Sequence, residues 1–192
     1  VVYFGSLDHN LYAVWTEGDK AGSLKWIFET DAGIASLPLI AHGRVYIGSF
    51  DRTFSALDVE TGEKLWTFTA ENWFWSGAIA DDERVYVGSL DGNIYALDVV
   101  SGALRWSRSA GGAIVSEPVL VPEGLVFASQ GEKVFLLDPR NGNQIWTYNV
   151  GDQVVAPLEY DGQKLYLVAK DHSVRALDMG TRRTLWTVST RD

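Results

Sequence analysis

The sequence predicts an all-β protein, a β-propeller built of four-stranded antiparallel blades. Trp66, Trp106, Trp146 and Trp186 recur every 40 residues, each at the end of one shared pattern. Between them, short runs of β-branched and aromatic residues alternate with Asp, Gly and Asn turns, which is typical of strands rather than helices. A repeat of about 40–45 residues is the usual length of one propeller blade.

The shared pattern is clearest between Ala56 and Trp66, where one strand ends and the next begins. Asp58 can accept backbone N–H groups across the turn, and Gly62 suits a backbone position with positive φ. The pattern departs in the last unit, where Arg182 replaces the turn glycine and predicts a different turn. The other copies are Ala96–Trp106, Leu137–Trp146 and Ala176–Trp186.

We therefore expect residues 1–192 to form a single propeller region of five blade-equivalents. Their approximate bounds are 1–30 (partial), 31–70, 71–110, 111–150 and 151–190. The first unit lacks the opening strand, which lies innermost in a propeller. In the other units this strand is predicted at Ile34–Leu39, Phe74–Ile79, Ile114–Val119 and Val154–Leu158.

A closed ring would need the end of the chain to supply the missing strand of the first blade. Only Thr187–Asp192 follow Trp186, enough to finish the last strand. The sequence thus favours an arc of a larger propeller over an imperfectly closed ring of five blades. Uncovered blade faces and a free strand edge favour pairing, so a homodimer through the open faces is expected.

Composition excludes several classes of function. The net charge of −9 argues against nucleic acid, whose binding requires clustered Lys and Arg, and it favours a protein partner with a basic surface. The absence of Cys excludes disulfides and thiol chemistry in this sequence. No apolar run has the length of a transmembrane helix.

The combined motif, Val-Tyr-x-Gly-Ser-x-Asp followed by Ala-Leu-Asp-x-x-Thr-Gly-x-x-x-Trp, resembles the PQQ-type β-propeller repeat. That repeat occurs in quinoprotein dehydrogenases and in BamB-type outer-membrane assembly lipoproteins. The resemblance implies an extracytoplasmic bacterial location, periplasmic or at the cell surface. It also implies that a repeated Trp docks between adjacent blades, at Trp26, Trp66, Trp106, Trp146 and Trp186.

The resemblance leaves three functions open. The first, which we favour, is a non-catalytic scaffold or protein-binding module like the BamB-type members. The second is a propeller that binds a small ligand or glycan, or acts as a sensor. The third is a fragment of a PQQ-dependent dehydrogenase, whose family uses adjacent Cys, calcium and a carboxylate base. The sequence has no Cys and no cluster of calcium ligands on the opening strands, so we predict no catalytic residue, no cofactor and no metal site.

Two sites stand out from the repeat as candidate ligand or partner surfaces. Trp73 and Trp75 alternate along an opening strand and so point to one side, where exposed rings would form a stacking platform. Their other interpretation is packing between blades. Glu117 lies on a later opening strand and is either a binding residue or a solvated channel carboxylate.

Overall fold

A computed structural model describes residues 1–154 and 156–191 of the chain. It confirms the all-β class: within these residues the only helix is one 3-10 turn, Gly18–Lys20, and the strands form five antiparallel sheets. Sheet 1 contains β1 (Val2–Gly5), β2 (Asn10–Val14) and β3 (Leu24–Glu29). Sheet 2 contains β4 (Leu39–Ala41), β5 (Arg44–Gly48), β6 (Thr53–Asp58) and β7 (Lys64–Thr69).

The remaining three sheets repeat the four-stranded arrangement, and strands that are consecutive in sequence are neighbours in each sheet. Sheet 3 contains β8 (Ala78–Ala80), β9 (Arg84–Gly88), β10 (Asn93–Asp98) and β11 (Leu104–Ser109). Sheet 4 contains β12 (Val119–Val121), β13 (Gly124–Ser129), β14 (Lys133–Leu137) and β15 (Gln144–Asn149). Sheet 5 contains β16 (Glu159–Tyr160), β17 (Lys164–Val168), β18 (Ser173–Asp178) and β19 (Arg183–Ser189).

Each interior sheet is buried on both faces because its strands alternate between two neighbours. In β5, Val45 and Ile47 pack against sheet 1, whereas Tyr46 between them packs against sheet 3. Four buried clusters connect the five sheets in order, one at each junction. No cluster joins sheet 5 to sheet 1 in the described part of the chain, as the predicted arc requires.

The predicted opening strands are wrong in position. The first strand of sheets 2 to 5 starts at Leu39, Ala78, Val119 and Glu159, so most of each predicted strand is an irregular connection. The reason is that the early residues of the connection hydrogen-bond to the previous sheet. Ile34 N–H donates to the Ser6 carbonyl (2.9 Å), and the equivalent bonds run from Phe74 to Ser49 and from Ile114 to Ser89.

A glycine at the end of the second strand makes this crossing possible. A Cβ atom added to Gly48 would lie 2.3 Å from the Cβ of Phe74, so only glycine lets the connection pass so closely. Gly5 and Gly88 make the same approach to Ile34 and Ile114. The Gly-Ser pair of the repeat motif therefore joins one sheet to the next.

At the outer side of the first three junctions, a tryptophan reaches over the turn of the following sheet. The indole N–H groups of Trp26, Trp66 and Trp106 donate to the carbonyls of Val59, Val99 and Pro139, at 3.1, 3.2 and 2.9 Å. At the first two junctions a tyrosine of the same sheet donates to the same carbonyl, at 3.2 and 3.4 Å. One carbonyl there satisfies two donors that would otherwise be costly to leave unpaired.

The turn glycine lies directly under the indole ring. At Gly102, φ is +70° and an added Cβ would lie 2.5 Å from a ring carbon of Trp66. Gly62 and Gly142 have the same relation to Trp26 and Trp106. All five sheets have a β-bulge at the equivalent position, which in sheet 2 lies between Ala56 and Leu57. The bulge shifts the strand register by one residue, and the tryptophan of the last strand then pairs with Ala56.

The fourth junction lacks several of these features. The different turn predicted at Arg182 is wrong: Arg182 occupies the position of the turn glycine, keeps a positive φ of 59°, and donates its N–H to the Asp178 carbonyl at 2.7 Å, as Gly62 donates to Asp58. Val126 stands where the other sheets have the tyrosine, and Trp146 is only partly buried. Within residues 1–154 and 156–191, no hydrogen bond joins the Trp146 indole to sheet 5. The junction that lacks the turn glycine is therefore also the one at which the tryptophan is less buried and has no indole hydrogen bond to the next sheet.

The two outer faces of the arc are exposed. Trp186 on sheet 5 is 43% exposed, because no following sheet covers it within the described residues. On sheet 1, Val2 and Phe4 are similarly exposed. Trp186 was expected to dock between adjacent blades, but within the described residues it has no following sheet on which to dock.

We predict that Gly102→Ala destabilises the protein by roughly 2–4 kcal/mol, because the methyl group meets the Trp66 ring and positive φ disfavours alanine. Urea denaturation followed by tryptophan fluorescence measures the change. Gly180→Ala is the matched control, because the nearest atom to its added Cβ is 3.6 Å away and its φ is not positive. Equal destabilisation by both changes would contradict this account.

We predict that Arg182→Gly stabilises the protein by about 1 kcal/mol, because it relieves a positive φ and frees the space in which Trp146 can dock. The measurements are the melting temperature and the two-dimensional NMR signal of the Trp146 indole N–H, which is resolved from those of the other seven tryptophans. Arg183→Gly, one residue later in β19, serves as the control and should destabilise instead. A lower melting temperature for Arg182→Gly would show that Arg182 itself holds the turn.

Candidate functional site

The antiparallel sheets give the arc two ends. The connections between sheets and the turns between the second and third strands lie at one end, here called the connection end. The turns over which the tryptophans dock lie at the opposite end. Docking therefore occupies the opposite end and leaves the connection end available for binding.

Three aromatic residues form a stack at the connection end, here called the aromatic cluster: Phe50, Trp73 and Trp75. The Phe50 ring lies 4.8 Å from Trp73 and 5.4 Å from Trp75, centroid to centroid, with interplanar angles of 26° and 14°. Trp73 is 43% exposed and Trp75 47% exposed, whereas Phe74 between them is fully buried. The two tryptophans are thus supported on one side by Phe50 and open to solvent on the other.

Backbone hydrogen bonds hold the cluster in place. Leu90 N–H donates to the Trp73 carbonyl (2.9 Å), and Phe50 N–H donates to the Gly33 carbonyl (3.0 Å). The Ser89 hydroxyl donates to the Trp73 carbonyl at 3.2 Å. Buried Phe74 anchors the segment, because its ring packs against Phe54 and Tyr95 of the two adjacent sheets. The platform is therefore part of the junction between sheets 2 and 3.

A depression of about 530 Å³ adjoins Trp75 and extends toward sheets 4 and 5. Its wall is mainly apolar and is formed by Trp75, Leu90, Ala113, Val115 and Val154, with polar atoms from Asn72 and Gln130. This volume is in the range of small-ligand sites. The depression and the exposed tryptophans form one continuous surface because Trp75 belongs to both.

The loops of the connection end are strongly acidic. They contain nine carboxylates and two basic side chains, Arg52 and Lys170. Of the nine, only Asp171 forms an ion pair within the described residues, with Arg175 at 2.6 Å. The carboxylates are Asp8, Asp31, Asp51, Glu71, Asp91, Glu117, Glu132, Asp152 and Asp171.

Glu117 lies beside Gly77, two residues after Trp75, where the connections lead into the innermost strands. An added Cβ at Gly77 would be 2.9 Å from a Glu117 carboxylate oxygen, so Glu117 covers the backbone of the neighbouring sheet. A depression of about 370 Å³ adjoins it and is also lined by Glu159 and Tyr160. Burial, and secondarily the charge of Glu159, raises the pKa of the Glu117 carboxyl.

The opposite end differs because several of its carboxylates form ion pairs with nearby arginine side chains. Arg105 forms an ion pair with Asp98, and Arg140 forms one with Asp138 at 3.0 Å. Hydrogen bonds from Arg105 and from the turn backbone lower the pKa of Asp98. A depression of about 550 Å³ at this end is lined by such paired groups. These carboxylates serve the turns that receive the tryptophans.

Phe50 was not identified by the sequence analysis. It follows the Gly-Ser pair, at a position where the other units have Leu7, Leu90, Gln130 and Lys170. The unit that precedes Trp73 is the only one with an aromatic residue at this position. A comparison of the equivalent turns across the repeats would therefore have identified Phe50.

The residues of this chain do not fit a quinone cofactor and its calcium ion. The chain contains no Cys. Residues 1–154 and 156–191 contain no group of three His, Asp or Glu side chains placed to hold a metal ion. Three equivalent positions beside the innermost strands carry Leu37, Gly77 and Pro157, and only the fourth carries a carboxylate, Glu117. Calcium requires six to eight oxygen ligands, which this set does not supply.

We predict that Glu117→Gln raises the melting temperature by roughly 1–3 °C near pH 7 and not near pH 4. A raised folded-state pKa means that Glu117 favours folding below its unfolded pKa and loses this contribution as pH rises through the folded pKa. Thermal melts across that pH range measure the effect. Glu159→Gln, which removes the lesser cause, should have a smaller effect, and a difference independent of pH would contradict the assignment.

A search of curated protein sequences found no match. A comparison with solved structures agrees with the architecture described above. The crystal structure of BamB from Moraxella catarrhalis superposes with a TM-score of 0.84 at 20% identity, over 96% of this chain and 57% of that chain. This chain therefore spans a little over half of that protein, and the likeness confirms a propeller arc. No helix in the described residues is long and apolar enough to cross a membrane.

The family comparison covers almost the whole chain. The family model described as outer membrane protein assembly factor BamB matches residues 2–110, 69–131 and 112–192. The overlapping matches follow from the internal repeat, because one model can align with successive blades. This chain belongs to the BamB-like family of PQQ-type β-propeller repeats.

Proposed function

We propose that this chain is part of a non-catalytic propeller that acts in outer-membrane protein assembly by binding other proteins. The family match, which runs from residue 2 to residue 192, carries the proposal. The protein named in that match is an outer membrane protein assembly factor. The same role is inferred for the parent protein of this chain.

The surface of the connection end supports a binding role. Its loops are held by backbone hydrogen bonds that cross between sheets, so they offer a rigid recognition surface. Exposed Trp73 and Trp75 form a large aromatic patch on that surface. Tryptophan is a frequent anchor of protein–protein interfaces because it buries much apolar area with little loss of conformational freedom.

The non-catalytic part of the proposal rests on the chemistry of the side chains. The sequence contains no Cys and no cluster of calcium ligands on the predicted opening strands. Tyr86 and Tyr95 donate hydrogen bonds to Asp81 and Asp91, and burial, followed by these bonds, raises the pKa of both phenols. Both tyrosines therefore stay protonated and serve the turns.

The second candidate function is binding of a small ligand or glycan, and the depression beside Trp75 favours it. Aromatic faces next to amide side chains such as Asn72 and Gln130 also suit a sugar ring or an aromatic ligand. The acidic loops of the connection end distinguish the two candidate functions. Their negative charge attracts a basic protein segment and does not attract a neutral sugar.

We place the protein in the periplasm, associated with the outer membrane, in keeping with the family. There the open faces of sheets 1 and 5 are available to further blades or to a second copy. Pairing of two copies through these faces remains part of the proposal. Light scattering across a dilution series tests it, and a mass that stays monomeric at all concentrations would contradict pairing.

We predict that deleting the gene of the parent protein in the bacterium that encodes it lowers the amount of folded outer-membrane β-barrel proteins. The readout is heat-modifiable migration of these proteins on gels. Re-expression of the parent protein should restore the wild-type pattern.

Two results would contradict the proposal. Unchanged outer-membrane protein levels in the deletion strain would remove the assembly role. Oxidation of an alcohol by the purified parent protein, dependent on added quinone and calcium, would establish an enzyme instead.

A further inference from the structure

We propose that the aromatic cluster and the adjoining depression bind a basic, amphipathic segment of a partner protein. Arginine or lysine side chains of that segment stack on Trp73 and Trp75, and an apolar side chain enters the depression. The inference rests on the proposed protein-binding function and names the chemistry of the partner.

The exposed tryptophan rings supply the first part of this recognition. Trp is the best aromatic acceptor for a cation–π contact, and Arg is its most frequent partner. Phe50 already stacks with both rings, with centroids 4.8 and 5.4 Å apart, so the two tryptophan side chains lose little conformational freedom when a ligand binds. The open sides of Trp73 and Trp75 are thus preorganised for a planar cation.

The charge around the cluster supplies the second part. Asp51 follows Phe50 directly, Glu71 precedes Trp73 by two residues, and Asp91 follows Leu90 of the depression. The Asp91 carboxylate also accepts the Glu71 backbone N–H at 3.2 Å, so these groups lie close together. Like charges held together without ion pairs create a negative potential, which attracts a basic segment and speeds its association.

The depression supplies the third part. Its apolar wall, from Trp75 to Val115, offers space for an apolar side chain close to the stacked cations. In an extended segment, residues i and i+2 point to the same side, so a basic residue followed two positions later by an apolar one can place both side chains on this surface. The site therefore selects an amphipathic sequence rather than a purely cationic one.

The direct test uses the purified 192-residue chain and a short synthetic peptide in which arginine and leucine take turns at every second residue, with serine between them, so that both face the same side when the peptide is extended. The control peptide has glutamate in place of every arginine. Isothermal titration calorimetry gives the affinity, and two-dimensional NMR of the indole N–H groups reports which tryptophans respond. We expect the arginine peptide to bind, to shift the Trp73 and Trp75 indole signals, and to weaken as salt rises from about 0.05 to about 0.5 M.

Variants locate the site. Trp75→Ala should weaken binding at least about threefold, whereas Trp186→Ala should leave it unchanged. Trp186 is a matched control because it is 43% exposed and lies on the outer face of sheet 5. Glu71→Gln should weaken binding about twofold and flatten its salt dependence, and Glu63→Gln at the opposite end should do neither. Circular dichroism confirms that each variant is folded.

Three outcomes would overturn the inference: equal binding of the arginine and glutamate peptides, unchanged affinity in folded Trp75→Ala, or binding of chitotriose at this site without binding of the arginine peptide. These outcomes are separate from the test of the proposed function. If gene deletion impairs outer-membrane assembly but the arginine peptide does not bind, the scaffold role stands and this site is wrong.

Discussion

The structure depends on one repeated contact, a tryptophan of one sheet laid over a glycine turn of the next. In the first three junctions its indole N–H reaches a turn carbonyl, as Trp66 reaches Val99 at 3.2 Å. The turn is shaped by an aspartate, Asp98 in this case, that accepts backbone N–H groups two and three residues ahead. Packing, turn chemistry and hydrogen bonding therefore meet at one point. Each blade completes its neighbour, which is why such repeats are stable only as arrays.

This arrangement separates stability from recognition. The docking turns and most of the ion pairs lie at the opposite end. The connections lie at the connection end, where few contacts between sheets depend on exposed side chains. Trp73 and Trp75 can therefore differ from the other repeats without disturbing the sheets, because buried Phe74 between them keeps the packing role that Ile34 and Ile114 have elsewhere. The same connection supplies an internal anchor and an external platform. Binding chemistry is thereby placed on a rigid part of the fold.

The sequence was sufficient to predict the repeat, the sheets and the arc, because spacing and turn residues report local structure directly. It misplaced the opening strands because the hydrogen bonds of Ile34 and Phe74 go to the preceding sheet, and a run of apolar residues does not reveal its partner. For Trp73 and Trp75 it left exposure and packing open, since alternation shows only that two side chains share a side. Phe50 was missed because its contact with them spans two sheets. The different turn predicted at Arg182 was wrong, because arginine keeps the positive φ that glycine has in the other turns. That Trp146 is the residue it faces follows only from the pattern of Gly62, Gly102 and Gly142.

Hydrogen exchange of the eight indole N–H groups, followed by NMR, tests the docking contact most directly. The account predicts slow exchange for Trp26, Trp66 and Trp106, which donate to turn carbonyls, and rapid exchange for exposed Trp73, Trp75 and Trp186. Trp146, partly buried and without the glycine turn, should exchange at an intermediate rate. Uniform exchange rates, or rapid exchange at Trp66 and Trp106, would contradict the claim that this contact holds the sheets together.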